Sequence, residues 1–218
     1  MLMADPHWNR GDYYDSVPPH AGMKLAREIA TITYRSGPEW DARFMRTRLS
    51  PFSPPAFCAD YQIERYLDHS GEKWWRGYDA NSMLYISKAM DLFDMSASSR
   101  RRLKEEVGGD QDGACLPSIP YDVGPHQGEP VPSPEEQRRD LVEGFKALKD
   151  ISSLVVGAAS DILFPARQQR EIVECLREAG NDDVHYVELS EKESQFGHDS
   201  FLKIDRVGEE IGRFLSRS

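Results

Sequence analysis

The sequence predicts a parallel α/β sheet close to its C-terminus. Residues 153–159 form a continuous apolar run of strand length, which is typical of a parallel strand covered on both faces. Residues 184–189 form a second strand pattern, and a helical pattern follows each strand, so the order is strand, helix, strand, helix. Two strands do not make a free-standing sheet. We therefore expect either that another chain supplies the missing strands or that the sequence is the back end of a longer protein.

The elements around these strands are predicted from apolar periodicity. Helices are expected over residues 134–148, 166–179 and 206–215, with Gly180 as the C-terminal cap of the second. In the second helix Ile172, Leu176 and Ala179 lie on one face, and in the third Val207, Ile211 and Leu215 are expected to face inward.

The N-terminal region has a helical pattern instead. Residues 23–36 carry an apolar stripe, residues 80–93 a second one, and residues 61–67 a short helix. The stripes consist of Leu25, Ile29 and Ile32 in the first helix, and Met83, Ile86, Met90 and Phe93 in the second.

Residues 108–134 contain five glycines and six prolines, 11 of 27 positions, whereas the whole chain has 16 + 14 = 30 in 218. This composition predicts a linker or a long surface loop.

Composition restricts the function classes. Lysine and arginine total 27 against 37 aspartates and glutamates, a net charge of −10, which argues against nucleic acid or an anionic membrane as the main partner. No stretch approaches the roughly 20 apolar residues of a membrane span. The three cysteines form no CxxC pair, so we expect no metal site and a cytoplasmic, reducing compartment.

Asp161 and His198 are the candidate catalytic residues. Asp161 follows the first strand and His198 lies in the loop after the second, at the edge of the sheet where α/β folds place catalytic groups. Taken singly, each has a structural interpretation, as a helix cap or as a loop residue. Together they match the last two members of a Ser…Asp…His relay, in which the aspartate orients the histidine and the histidine accepts the nucleophile's proton.

The nucleophile of such a relay is missing from the sequence. No Gly-x-Ser-x-Gly motif occurs, and Ser160, directly before the aspartate, is expected to point away from His198. The chain alone is therefore not predicted to complete a triad.

Five ordered motifs resemble the homoserine O-acetyltransferase family, which includes fungal serine O-acetyltransferases. They are DPxWNxGDY at 5–13, LARxIAxxTYRS at 25–36, YDANS at 78–82, SDxLFP at 160–165 and GHDxFL at 197–202. The resemblance implies an α/β-hydrolase fold with a helical lid over residues 1–96, a Gly/Pro-rich flexible insertion over 97–133 and the C-terminal part of the core over 134–218. The nucleophile-bearing N-terminal core is absent, and a truncated or mispredicted reading frame is the explanation that the sequence favours.

The same resemblance implies an activity. Family members transfer acetyl from acetyl-CoA, as co-substrate and with no bound cofactor, through a serine to the hydroxyl of an amino acid, and they dimerise through lid helices. Asp161 and His198 would be triad members, Arg27 would bind the substrate carboxylate, and Tyr34 and Asp199 would orient the amino acid. Arg27 and Tyr34 are seven residues apart in a predicted helix, so they project from nearly one face, opposite the stripe at Leu25.

Alternative functions remain open at this point. Serine differs from homoserine by one methylene, which a pocket discriminates by only about 1–3 kcal/mol. An esterase would give the acyl group to water, and a non-catalytic binding or dimerisation module would use the lid helices alone.

Overall fold

The computed structural model describes residues 1–54, 56–107 and 132–217. The α-helices in these ranges are α1 (His20–Thr33), α2 (Gly37–Arg43), α3 (Gln62–Trp75), α4 (Ala80–Asp91), α5 (Ala97–Val107), α6 (Pro134–Phe145), α7 (Ala166–Glu178) and α8 (Ile204–Leu215). The strands are β1 (Ser153–Ala158) and β2 (Val184–Leu189), and short 3-10 helices cover Leu2–Ala4, Pro6–Gly11, Lys146–Leu148 and Gly197–Leu202.

The chain divides into two compact units. The first contains Met1–Asp91, Val156–Ala166 and Val187–Ser218, and the second contains Leu92–Val155 and Arg167–Tyr186. In the second unit a cluster of buried side chains from α6, α7 and β2 forms the core: Phe145, Val173, Cys175, Leu176, Ala179 and Val184.

The two strands are parallel, as predicted. The amide of Ser153 donates to the carbonyl of Asp183, and the amide of Ala159 donates to the carbonyl of Leu189. The separation is 30 residues in both pairs (183 − 153 and 189 − 159), a constant offset that only parallel strands give. The predicted strand bounds are confirmed to within one residue. Gly180 ends α7 with φ +90°, a left-handed conformation that suits a glycine cap.

The core of the first unit joins the N-terminal segment to α1 and α4, and Trp74 and Trp75 of α3 pack against it. Leu2, Trp8, Tyr13, Met23 and Ala80 are buried together. Polar bonds reinforce this cluster, because the Tyr13 hydroxyl donates to Asp79 and accepts the amide protons of residues 80 and 81 at 2.9 and 3.2 Å. Burial, followed by the bond to Asp79, raises the pKa of Tyr13 to about 12.

The face of α1 that packs is not the predicted one. Leu25, Ile29 and Ile32 are 45%, 38% and 45% exposed, whereas Met23 and Thr31 are buried. The opposite face of α1 packs because α3 contributes Gly71, which has no side chain and approaches Lys24 closely. Arg27 and Tyr34 therefore lie toward the packed side rather than on a solvated face.

The apolar positions identified in three other helices are only partly buried. In α4, Met83 packs against the core of the first unit, but Ile86 and Met90 are exposed, and so is Phe93 after the end of the helix. In α7, Leu176 and Ala179 are buried, whereas Ile172 is exposed. In α8, Ile211 and Leu215 are 44% and 64% exposed, which contradicts an inward stripe. Apolar spacing locates these helices, but which face packs depends on neighbours that the spacing does not specify.

The predicted insertion is described only in part. Its first residues form α5, which packs against α6 and whose first turn is held by Asp140 accepting the amide of Ser98 at 3.1 Å. The Gly/Pro-rich residues 108–131 lie outside the described part of the chain. None of the helices that the structure describes has both the length and the apolar character needed to span a bilayer.

Candidate active site

Asp161 and His198 lie side by side in the first unit. Nδ1 of His198 is 3.0 Å from Oδ2 of Asp161. The other carboxylate oxygen, Oδ1, accepts the amides of Leu163 and Phe164, both at 2.9 Å, in the turn that follows β1. These two backbone bonds fix the carboxylate, so Oδ2 is presented to the imidazole. Because a carboxylate oxygen accepts hydrogen bonds, Nδ1–H of His198 is the donor in this contact, and Nε2 is the ring nitrogen that Asp161 does not engage.

The surroundings of His198 leave its imidazole accessible. The His198 side chain is 28% exposed, whereas that of Asp161 is only 10% exposed. The rings of Phe164 and Phe201 flank the imidazole, with centroids 5.0 and 5.1 Å away. The pair therefore has the arrangement of a catalytic relay, a buried carboxylate that orients a histidine still reachable by a reactant.

Ser160 does not face this pair. Its hydroxyl donates to the carbonyl of Ser194 at 2.9 Å and accepts the amide of Gly197 at 3.1 Å, and the residue is buried. Both hydrogen-bonding roles of the hydroxyl are occupied by backbone groups. As expected from its position before Asp161, it is a structural serine.

The residues predicted to bind the substrate meet in two groups. The Arg27 guanidinium lies over the ring of Tyr34, 5.5 Å from its centroid, and 5.8 Å from that of Trp74. Nε of Arg27 is buried without a hydrogen-bond partner, and Arg27 makes no ion pair with a carboxylate of the described residues. Arg27 is therefore oriented by two aromatic rings and keeps its charge available.

The second group of predicted substrate-binding residues is centred on Asp199. Its amide donates to the carbonyl of Tyr34 at 3.3 Å, which places it beside the C-terminal end of α1. Its carboxylate faces Arg35, with 3.6 Å between Oδ2 and Nη2. Arg35 also pairs with the buried Glu39 and donates to the Tyr66 hydroxyl at 3.3 Å.

Arg35 is the site residue that the sequence did not reveal. It belongs to the TYRS motif, but its partner Asp199 is far along the chain, so no local spacing relates the two. The structure places Arg35 at an open pocket of about 400 Å³, which is lined by three cationic and two anionic side chains. The lining consists of Arg35, Glu39, Arg43, Phe196, Asp199, Leu202 and Lys203.

The described residues contain no group of three or more His, Cys, Asp or Glu side chains arranged to hold a metal ion.

The fold and the pair of Asp161 and His198 identify the class of protein to which the chain belongs. A family model described as the alpha/beta hydrolase fold matches residues 1–202. The chain belongs to the α/β-hydrolase fold family, which confirms the predicted fold class.

Curated relatives are similar to nearly the whole chain. A protein of Emericella nidulans named serine O-succinyltransferase is 49% identical over 99% of the chain, which covers 46% of the relative. One of the same name from Schizosaccharomyces pombe is 47% identical over the entire chain, covering 48% of the relative. The chain thus spans about half the length of these relatives, and the resemblance to the homoserine and serine O-acyltransferases is confirmed.

Solved structures support the fold independently. A homoserine O-acetyltransferase from Bacillus anthracis superimposes with a TM-score of 0.66 at 18% identity, covering 98% of the chain and 46% of that structure. Esterase E22 gives the same TM-score and identity, covering 98% of the chain and 47% of that structure. At this identity the likeness concerns the fold alone.

Proposed function

We propose that the chain supplies the aspartate and the histidine of an O-acyltransferase that transfers a succinyl group from a CoA thioester to the hydroxyl of L-serine. The observation that carries the proposal is the 3.0 Å contact between His198 and Asp161. The names of the relatives that are 47–49% identical favour serine and succinyl over the homoserine and acetyl that the motifs alone suggested.

In the proposed reaction His198 acts twice as a base and twice as an acid. Nε2 first takes the proton of a nucleophilic serine, whose Oγ attacks the thioester carbon, and then gives that proton to the departing CoA thiolate. It next takes the proton of the acceptor hydroxyl, which attacks the acyl-enzyme, and returns that proton to the freed serine Oγ. Asp161 holds the Nδ1 proton and stabilises the imidazolium that each step forms. These 218 residues contain no Gly-x-Ser-x-Gly, and we assign the nucleophile to none of their serines.

Acceptor binding is assigned to the first unit. Arg27 pairs with the substrate carboxylate, since a planar guanidinium binds both oxygens and no carboxylate of the described residues engages it. Tyr34 supports that guanidinium through its ring, and Asp199 receives the ammonium group. The contact between Asp199 and Arg35 is long enough, at 3.6 Å, to be exchanged for a closer ammonium.

The test uses a chimaera in which this chain replaces the matching segment of the Emericella nidulans relative. We expect thiol release from succinyl-CoA to require L-serine and to form O-succinylserine. Acetyl-CoA and L-homoserine, assayed in all combinations, distinguish the four transferase specificities.

The second candidate function is an esterase, since the same pair of Asp161 and His198 can activate water in place of the amino-acid hydroxyl. It predicts thiol release at one rate whether or not an amino acid is present, and that result would rule out the transferase.

A further inference from the structure

The loop that carries His198 is held by buried serine hydroxyls. Ser160, at the end of β1, binds it through two backbone groups, the carbonyl of Ser194 and the amide of Gly197. Ser36 binds it from the junction between α1 and α2, where its hydroxyl donates to the carbonyl of Gln195. The loop is therefore fastened just before His198 from two separate elements.

Two further serines complete the hydrogen bonding within the loop. The hydroxyls of Ser194 and Ser200 are 2.6 Å apart, and that of Ser200 donates to the carbonyl of Gly197 at 2.6 Å. Ser36, Ser160, Ser194 and Ser200 are only 2–7% exposed. A buried hydroxyl without a partner is costly, so removing one member leaves its partners unsatisfied and loosens the loop.

Steric fit adds to these bonds. Gly197 has φ +61°, and a Cβ there would lie 2.8 Å from the amide nitrogen of Ser36 and 3.0 Å from the carbonyl oxygen of Tyr34. The backbone of the His198 loop thus lies directly against the end of α1. The residue before His198 has to be glycine for this approach.

We propose that Ser36 and Ser160 are positioning residues that hold the His198 imidazole against Asp161. Neither touches a reacting atom, and both act through the backbone of residues 194–197. Because Ser36 follows Tyr34 and Arg35, this contact also couples the predicted acceptor-binding segment to the base. The inference rests on the proposed function in assigning catalysis to His198, but the contacts themselves do not depend on it.

Ser96 provides a matched control. Like Ser36 it is a buried serine directly before a helix, and its hydroxyl accepts the amide of Ser99 at 3.2 Å, as that of Ser36 accepts the amide of Glu39 at 3.2 Å. Ser96 lies in the second unit, and its hydroxyl bonds to Asp94, Ser98 and Ser99. Ser36→Ala and Ser96→Ala therefore both remove a helix-capping hydroxyl, and only the first removes a bond to the loop.

The experiment observes the Nδ1 proton of His198 by NMR in the 218-residue chain. A proton between an imidazole and a carboxylate gives a far-downfield signal, and His198→Gln identifies it, because His20 and His185 also lie beside carboxylates. We expect Ser36→Ala and Ser160→Ala to broaden or abolish this signal, and Ser96→Ala to leave it unchanged while lowering Tm to a similar extent. In the chimaera the first two should lower kcat about tenfold to a hundredfold, with little change in KM for the acceptor.

Retention of the signal and of kcat in both folded loop variants would overturn the positioning role. If an alanine variant does not fold, the cysteine variant, similar in size but a weaker hydrogen-bonding partner, replaces it under the same criteria. Absence of the signal in the parent chain would contradict the pairing of His198 with Asp161, and with it the proposed function. Failure of the positioning role and failure of the proposed function therefore give different results.

Discussion

Nδ1 of His198 lies 3.0 Å from Oδ2 of Asp161, although 37 residues separate them in the sequence. The parallel pairing of β1 and β2 explains the contact, because Asp161 follows the end of β1 and His198 lies in the loop after β2. The carboxyl ends of parallel strands meet at one edge of the sheet, and residues in the two following loops can touch there.

Replacing Arg27 by lysine should weaken acceptor binding. Lysine keeps the charge but loses the planar fork and the stacking on Tyr34. In the chimaera we expect KM for L-serine to rise about tenfold, equivalent to about 1.4 kcal/mol, with kcat largely retained. A carboxylate-free acceptor such as ethanolamine should be used equally by the parent and the variant. An unchanged KM for serine would contradict the assignment of Arg27.

Replacing Tyr13 by phenylalanine should destabilise the first unit in a pH-dependent way. The hydroxyl bonds to Asp79 and to two backbone amides, so its loss should lower the free energy of unfolding by about 1–3 kcal/mol. Since folding raises the pKa of Tyr13 from 10.0 to about 12, its contribution is complete below pH 10 and is lost as the pH rises toward 12. Urea unfolding should show the difference between parent and variant shrinking over that interval.

Tyr85→Phe is the control for Tyr13, because Tyr85 is 80% exposed. We expect no change in unfolding free energy there. A Tyr13→Phe variant as stable as the parent at pH 8 would contradict the structural role of the hydroxyl.

Glu72 should contribute an acid-sensitive part of the stability. It bonds to Trp75 at 3.0 Å, and from α3 it pairs with Lys24 and His20 of α1 at 3.2 and 3.0 Å. These bonds, that to Trp75 foremost, lower the pKa of Glu72 from 4.5 to about 2. The stabilisation is present above pH 4.5 and is lost as the pH falls toward 2.

The role of Glu72 is tested by measuring the free energy of unfolding of the parent and of Glu72→Gln as a function of pH. The gap between parent and variant should be largest at neutral pH and close in acid. Glu105→Gln, on the exposed surface of α5, should not differ from the parent. A gap for Glu72→Gln that stays constant from pH 7 to pH 2 would count against a stabilising role of the ionised Glu72 carboxylate.

The two faces of α1 should respond differently to truncation. Met23→Ala removes a buried side chain and should cost about 2–5 kcal/mol of unfolding free energy. Ile29→Ala acts on an exposed side chain and should change it by about 0.5 kcal/mol. Chemical denaturation of the two variants measures this difference. Equal losses would mean that the face with Ile29 is the packed one, as its spacing suggested.

The strands and the contact between Asp161 and His198 were predictable because their signals are local. A continuous apolar run identifies a covered strand wherever its neighbours come from, and strand order alone brings Asp161 and His198 to one edge. The packed faces of α1 and α8 were not predictable in this way. Leu25 and Ile211 have the spacing of a buried stripe, but periodicity does not say which surface lies opposite, and in the described structure both are exposed.

Arg35 illustrates the other limit of sequence reasoning. Its role depends on Glu39, one helical turn away, and on Asp199, which only the folded chain brings near. The buried serines around His198 could not be identified from the sequence either. A serine that bonds to the backbone has no sequence pattern that distinguishes it from other loop serines. Ser160 was recognised only as a poor nucleophile, not as a support for the loop.

The kcat of the chimaera carrying Asp161→Asn tests the central claim most directly. Asparagine keeps the shape of the side chain but removes the charge that orients the His198 Nδ1 proton and stabilises the imidazolium. We predict that kcat for succinyl transfer to L-serine falls about 10⁴-fold while KM changes little. Asp150→Asn, at an exposed aspartate, should retain the parent rate. An Asp161→Asn chimaera that retains kcat within about tenfold of the parent would contradict a relay formed by Asp161 and His198.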